Sequence, residues 1–163
     1  MPPAQLIRLH RHSLTNVVVI GGTAARRTEV ARSFHRESPL RGAEFLAVDA
    51  SREDEALRRA LGAWTGEQPD AGHAYAGAEH GTLFIDQVEQ LSSESQRLLL
   101  GLARRLLGEP ATGREVACPG RIVVGNTTAL VTAVSEGRFL AALYDALDKV
   151  RVELEVPPSE TSP

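Results

Sequence analysis

Short apolar runs alternate along the chain with longer segments in which apolar residues recur every three or four positions. The runs predict five strands, at 17–20, 44–48, 81–86, 122–124 and 150–156. The longer segments predict helices at 24–36, 52–61, 93–107, 129–134 and 140–147. Because strands and helices alternate throughout, the sequence predicts an α/β fold, a mainly parallel five-stranded sheet with helices on both faces.

The connections between these elements carry their own local signals. Ser93 and Gln96, three residues apart, predict a capping box for the helix at 93–107. Residues 62–77 are rich in Gly, Ala and Pro, which predicts a long loop. The end of the chain, 158–163, reads as a disordered tail, so residues 1–157 would form a single domain.

Composition and charge mainly exclude functions. A formal net charge of −3 gives no overall basic field, so we expect no direct DNA binding. A single cysteine, Cys118, excludes an internal disulfide, and no apolar run is long enough to cross a bilayer. His10 and His12 lack a third ligand nearby in sequence, so no metal site is predicted. We therefore expect a cytoplasmic protein without membrane contacts.

The candidate chemistry begins where the first strand ends, in the stretch VIGGTAARRTEV. Gly21 and Gly22 follow the apolar run at the edge where parallel sheets bind ligands. A phosphate-binding loop of the form G-x-x-x-x-G-K-[ST] would start at Gly21 and would need a glycine and a lysine at positions 26 and 27. The chain has Arg26, Arg27 and then Thr28. A side chain at position 26 obstructs the approach of backbone to phosphate, and the wide guanidinium of Arg27 is a poor substitute for an ammonium.

Five stretches resemble, in the family's order, the AAA+ ATPase domain of sigma-54-dependent transcriptional activators. They are VARSFHRESP (30–39), FLAVDA (45–50), GAWTGE (62–67), GTLFIDQVEQLS (81–92) and SEGRFLAALYDAL (135–147). The resemblance implies a P-loop NTPase-like core. In the family a helical lid follows this core and closes over the nucleotide. Because Pro157 and Pro158 end the pattern here, we expect a core that lacks the lid.

The residues that the family uses for ATP are replaced in this chain. Besides the two arginines of the loop, Asp86 is followed by Gln87, where the resemblance implies a glutamate that polarises the attacking water. An amide cannot accept that proton. Thr28 and Asp86 could serve Mg²⁺ only if a nucleotide brought it. Asn126 is either the polar sensor residue shifted by one position or unrelated to it.

The family's two arginine fingers, which reach into a neighbouring subunit's ATP site, are also missing. The resemblance places them at Leu140 and Ala146, and Arg138 does not obviously replace them. Such an arginine is worth roughly 10³ to 10⁵ in rate. The sequence therefore predicts a protein with no catalytic residues and no ATP or Mg²⁺ cofactor, in which Gly21, Gly22 and the replaced positions form a degenerate nucleotide site.

The stretch Gly62-Ala63-Trp64-Thr65-Gly66-Glu67 resembles the loop through which the family contacts sigma-54. It predicts a partner-binding loop with Trp64 at its tip, because an exposed tryptophan is a good interface anchor. The alternative is that Trp64 folds back onto the core.

Taken together, these patterns predict a regulatory protein that acts by binding a different protein. Three hypotheses stay open: an inhibitor, sequestering factor or chaperone of a partner; a modulator of sigma-54 or of a sigma-54 activator; or a weak ATP-binding protein. The arginines at 26, 27, 32 and 36 predict either a site for an anion or acidic partner or an ordinary solvated face.

Overall fold

A parallel sheet of five strands forms the centre of the computed structural model, which describes residues 1–68, 72–108 and 116–155. The strands are β1 (Val17–Ile20), β2 (Phe45–Asp49), β3 (Thr82–Asp86), β4 (Arg121–Asn126) and β5 (Val150–Glu153). The helices are α1 (Pro3–Leu9), α2 (Ala24–Arg36), α3 (Ala50–Trp64), α4 (Ser93–Leu106), α5 (Leu130–Ser135) and α6 (Ala141–Leu147). Short 3-10 helices lie at Ala76–Ala78 and Val88–Gln90.

The strand order is β2-β3-β4-β1-β5, and every neighbouring pair is parallel. This confirms the predicted α/β fold and all five predicted strands, although β4 is longer and β5 shorter than the sequence indicated. The order puts β1 beside β4, and β4 beside β3. The carboxyl ends of these three strands therefore meet at one edge, where the residues after β1, β3 and β4 come together.

The sheet separates two apolar clusters. On one face, α1 and α2 cover a cluster that includes Val17, Val19, Val30 and Phe34. On the other face, α3, α4 and α6 cover a larger cluster that includes Val18 and Leu99. Successive valines of β1 point to opposite faces because side chains alternate along a strand. With both faces covered, the strands read as continuous apolar runs.

The apolar periodicity of the sequence did not predict helix α1. Its buried side chain is Ile7, which packs into the cluster beneath α2, and Pro3 starts the helix at a position that needs no N–H donor. Seven residues with one buried position carry too weak a periodicity to be recognised.

The predicted capping box of α4 is wrong by one residue. The N-cap is Ser92, whose hydroxyl accepts a hydrogen bond from the Ser95 backbone N–H at 3.2 Å. Gln96 is buried instead and joins two segments. Its amide nitrogen donates to the Leu91 and Arg138 carbonyls, each at 3.0 Å, and its oxygen accepts from the Leu140 backbone N–H. Gln96 therefore fixes the connection between α5 and α6 against α4.

The predicted placement of Trp64 at the tip of a loop is also wrong. Helix α3 continues through Gly62 and Ala63 to Trp64, whose side chain is fully buried. The indole N–H donates to the Glu79 carboxylate at 3.0 Å, and the His73 ring packs edge-on against the indole. The apolar surface of the ring outweighs the Gly-rich composition around it, so the alternative in which Trp64 folds back onto the core is the one observed.

The remaining residues of the predicted partner-binding loop, 65–67, form the turn that ends α3. Thr65 is its C-cap, Gly66 has φ +85°, and the exposed Glu67 pairs with Arg97 of α4 at 3.1 Å. The loop predicted for 62–77 therefore starts later than expected, and residues 69–71 lie outside the described part of the chain. The tail predicted at 158–163 lies outside it as well.

We predict that Trp64→Ala lowers the free energy of unfolding by about 3–5 kcal/mol, because it leaves a large cavity under α3. The exposed Leu107, changed to Ala, is the matched control and should change stability by no more than about 0.5 kcal/mol. Both values come from urea titrations followed by circular dichroism. Because Trp64 is the only tryptophan, acrylamide should quench its fluorescence weakly in the native protein and strongly in urea. Strong quenching of the native protein would contradict its burial.

Candidate functional site

The candidate site lies at the edge where β1, β3 and β4 end, and a buried arginine occupies its centre. Arg27, on the first turns of α2, is 2% exposed. Its Nε donates to Asp86 Oδ1 at 2.8 Å and its Nη2 donates to Asp86 Oδ2 at 3.2 Å. Its Nη1 donates to the carbonyls of Gly21 at 2.9 Å and of Gly22 at 3.1 Å. Four of the five N–H donors of the guanidinium are thus used inside the protein.

The two glycines allow this arrangement because both have left-handed backbone angles, φ +89° for Gly21 and +61° for Gly22. Leu154, which follows β5, then packs directly on the turn. A Cβ on Gly21 would lie 2.7 Å from the Leu154 carbonyl oxygen, and one on Gly22 would lie 3.0 Å from a Leu154 methyl group. Arg27 therefore binds the carbonyls of the turn, and Leu154 packs on its Cα atoms, so neither contact leaves the turn open to a ligand.

The backbone of the turn presents carbonyl oxygens to the site. A phosphate-binding loop does the reverse, because it surrounds the phosphates with free backbone N–H groups. Here α2 already begins at Ala24, with Thr23 as its N-cap. Arg27 N–H donates to the Thr23 carbonyl and Arg26 N–H to the Thr23 hydroxyl. Positions that should wrap a phosphate are instead part of a helix.

Charge at the site is balanced internally. The Asp86 carboxylate neutralises the Arg27 guanidinium, so the pair presents no net positive charge to an anion. Gly125 of β4 makes room for the carboxylate, since a Cβ there would lie 2.5 Å from Asp86 Oδ1. Mg²⁺ would need the same carboxylate that Arg27 occupies, and ATP would need donors where the turn offers acceptors. The residues present do not fit Mg²⁺–ATP.

The other predicted residues of the loop do not complete a nucleotide site. Arg26 is exposed and pairs with Glu29 at 3.3 Å. The Thr28 hydroxyl donates to the carbonyl of Ala24, one turn back along α2, at 2.9 Å. The Arg26 side chain is about half exposed, and its Cγ lies beside the turn, 3.6 Å from where a Cβ on Gly22 would be.

Gln87 and Asn126 lie at the same edge but face different partners. Gln87 has φ +54°, and its side-chain oxygen accepts a hydrogen bond from Thr127 at 3.3 Å. Asn126 is fully buried and donates to Glu89 at 2.8 Å and to the Thr128 carbonyl at 2.8 Å. Asn126 thus organises the turn after β4.

Glu89 is a site residue that sequence reasoning missed. Burial would raise its pKa, but hydrogen bonds from Asn126, Arg138 and Thr128 outweigh that effect and lower the pKa of the carboxyl. Arg138 pairs with both Glu89 and Glu136 of its own chain. No sequence signal marks Glu89, because its role depends on contacts with residues about 40 to 50 positions away along the chain.

The positions to which the resemblance assigned arginine fingers carry no charge. Leu140 is exposed and Ala146 is buried against the core. Among the described residues, no group of three or more His, Cys, Asp and Glu side chains could hold a metal ion. Within the same ranges, no helix is both long and apolar enough to cross a membrane.

Comparison with known proteins identifies the family. Residues 3–153 match the family described as the Sigma-54 interaction domain, and the chain belongs to it. It is 32% identical to the C4-dicarboxylate transport transcriptional regulatory protein DctD of Pseudomonas aeruginosa, over 88% of this chain and 32% of DctD. It is 30% identical to the DNA-binding transcriptional regulator NtrC of Klebsiella pneumoniae, over 90% of this chain and 33% of NtrC. The chain spans about a third of each of these regulators.

Solved structures confirm the expected fold. NtrX from Brucella abortus, crystallised in complex with ATP, superposes with a TM-score of 0.76 at 23% identity, over 94% of this chain and 34% of NtrX. The P-loop NTPase domain of a sigma-54 transport activator from E. coli superposes with a TM-score of 0.65 at 18% identity, over 95% of this chain and 92% of that domain. At these identities the likeness establishes the P-loop NTPase-like architecture.

We predict that Arg27→Met lowers the free energy of unfolding by about 3–5 kcal/mol, because it leaves the buried Asp86 carboxylate without its counter-ion. Arg26→Met, at the adjacent exposed position, is the control and should change stability by no more than about 0.5 kcal/mol. The double variant Arg27→Met with Asp86→Asn should lose less than the sum of the two single changes. Additive losses in urea titrations would show that the two side chains do not interact.

Proposed function

We propose that this protein is a catalytically inactive member of the sigma-54 interaction domain family that works by binding and controlling another protein. The observation that carries the proposal is the Arg27 guanidinium, held by Asp86 and by the carbonyls of Gly21 and Gly22. These are the groups that would have to turn towards Mg²⁺ and phosphate in an ATP-binding relative.

Nucleotide binding would first have to break this arrangement. Separating a buried ion pair costs about 3–5 kcal/mol, which reduces affinity by roughly a hundredfold to several thousandfold. Only residues 21–23 connect β1 to α2, so the first turn of α2 would also have to unwind to give a loop long enough to surround phosphates, and Leu154 would have to move off the glycine turn. These costs add before any contact with phosphate is made.

The chain also lacks the side chains that the resemblance implies for ATP hydrolysis, a carboxylate that polarises water and two arginine fingers. Gln87 has no carboxylate with which to polarise water. Leu140 and Ala146 cannot stabilise charge in a neighbouring site, and Arg138 is paired with Glu89 and Glu136. The fold, by contrast, is well packed and retains its two apolar clusters. A retained fold with a closed site supports a role for its surfaces.

A modulator of sigma-54 or of a sigma-54 activator is the second candidate. Family membership favours it, since the relatives are transcriptional regulators and the scaffold is one that such regulators share. The burial of Trp64 argues against a contact through that side chain, so a shared surface elsewhere on the domain would have to make it.

Calorimetric titration with ATP or ADP in the presence of Mg²⁺ tests the inactive site. We expect no heat of binding up to about millimolar nucleotide, because Arg27 and the helical backbone block the phosphates. The variant Arg26→Gly with Arg27→Lys is the comparison. Since α2 starts at Ala24, we expect it to gain no micromolar affinity either. Micromolar binding by the unchanged protein would overturn the proposal and leave a nucleotide-binding protein. Binding by the variant alone would locate the block in the Arg27 side chain rather than in the backbone.

The second candidate has its own test. Purified protein would be added to a sigma-54 activator with intact ATPase residues, and ATP hydrolysis by that activator would be measured. A modulator should change the rate in proportion to its concentration, and the buried-site variant Arg27→Met should lose this effect only to the extent that it unfolds. An unchanged rate across a wide excess would remove this candidate.

A further inference from the structure

The face of the protein covered by α1 and α2 is strongly basic. Residues 1–41 contain seven arginines and two glutamates, a formal charge of +5 in a chain whose overall charge is −3. Arg27 is buried in its ion pair, but its neighbours on this side are exposed. We call the five exposed arginines of residues 1–36 the basic face, which consists of Arg8, Arg11, Arg26, Arg32 and Arg36; Arg41 is also exposed but lies beyond α2.

Most of this charge has no partner within the described part of the chain. Only Arg26 makes an ion pair there, with Glu29. The rest of the described surface is different, because its exposed arginines commonly pair with carboxylates. Those that do so are Arg52, Arg59, Arg97, Arg138 and Arg151.

The uncompensated charge works against the helix that carries it. Arg32 and Arg36 are four residues apart on α2, where like charges repel. Arg32 lies 4.6 Å above the Phe45 ring, which holds its side chain in place. Arg36 donates to the Ser33 hydroxyl of the same helix. Two oriented guanidinium groups on one helix face provide a site complementary to carboxylates.

The segment that carries Arg8 and Arg11 also has exposed apolar side chains. Leu9, which follows Arg8 in the chain, is 66% exposed, and Leu14, three residues after Arg11, is 42% exposed. Phosphate backbones are contacted by charge and hydrogen bonding, so exposed leucines would contribute nothing to a nucleic-acid surface. A protein segment with acidic and apolar side chains would use both features.

We propose that the basic face docks an acidic segment of a partner protein that also carries apolar side chains. The carboxylates of that segment contact Arg8, Arg32 and Arg36, and its apolar residues cover Leu9 and Leu14. This surface rests on the proposed partner-binding function and gives that function a location on the side of the sheet opposite Trp64.

The test uses a short fluorescein-labelled peptide of Glu-Glu-Leu repeats and fluorescence anisotropy with the complete chain. We expect saturable binding that weakens with salt. Changing Arg8, Arg32 and Arg36 together to Gln should weaken it by about tenfold or more. Changing Arg52, Arg59 and Arg104 together to Gln removes the same charge from other helices and should leave affinity within about twofold. Circular dichroism would verify that both variants remain folded.

Two further probes decide the class of partner. A Glu-Glu-Gln peptide of equal length should bind more weakly than the leucine-containing one, and Leu9→Ser should abolish that difference. Tighter binding of a short DNA duplex than of the peptide would overturn the proposal in favour of a nucleic-acid surface. Equal loss in both triple-glutamine variants, or no binding of the peptide, would also overturn it. None of these outcomes bears on whether the nucleotide site is closed, which the calorimetric titration measures separately.

Discussion

The buried pair of Arg27 and Asp86 joins three parts of the fold at the edge where the strands end. Arg27 comes from α2, Asp86 ends β3, and the carbonyls of Gly21 and Gly22 belong to the turn after β1. A buried carboxylate needs a counter-ion and hydrogen-bond donors, and the guanidinium supplies both in one planar group. The same interaction holds the turn with its carbonyls inward, and it adds a polar contact to the apolar cluster that packs α2 on the sheet.

Under the proposed function, this interaction accounts for several departures from the family pattern together. The Arg27 guanidinium occupies the Asp86 carboxylate, and the turn directs the carbonyls of Gly21 and Gly22 to the same guanidinium. At the same edge, Gln87 has a left-handed backbone and accepts a hydrogen bond from Thr127, and Glu89 binds Asn126 and Arg138 of the same chain. This edge of the sheet is therefore a network of contacts between groups of the protein itself.

Much of the fold followed from sequence, because strand and helix periods are local. The five strands and the helix at 24–36 are examples, and the glycine turn was located correctly. Contacts between distant residues could not be read in this way. The sequence showed Arg27 and Asp86 separately but not their pairing, and it placed Trp64 in a loop because composition outweighed the burial that the structure shows. Glu89 and Leu154 escaped notice because their partners are far along the chain.

The N–H signal of Arg27 reports directly on whether its guanidinium occupies the site in solution. In ¹H–¹⁵N NMR spectra of the arginine side chains, Arg27→Lys would identify the Nε signal by its loss. We expect that signal in the native protein to exchange slowly with solvent and to stay unchanged when Mg²⁺ and ATP are added. A rapidly exchanging Arg27 Nε–H, or a saturable shift of it on addition of Mg²⁺ and ATP, would contradict the closed site.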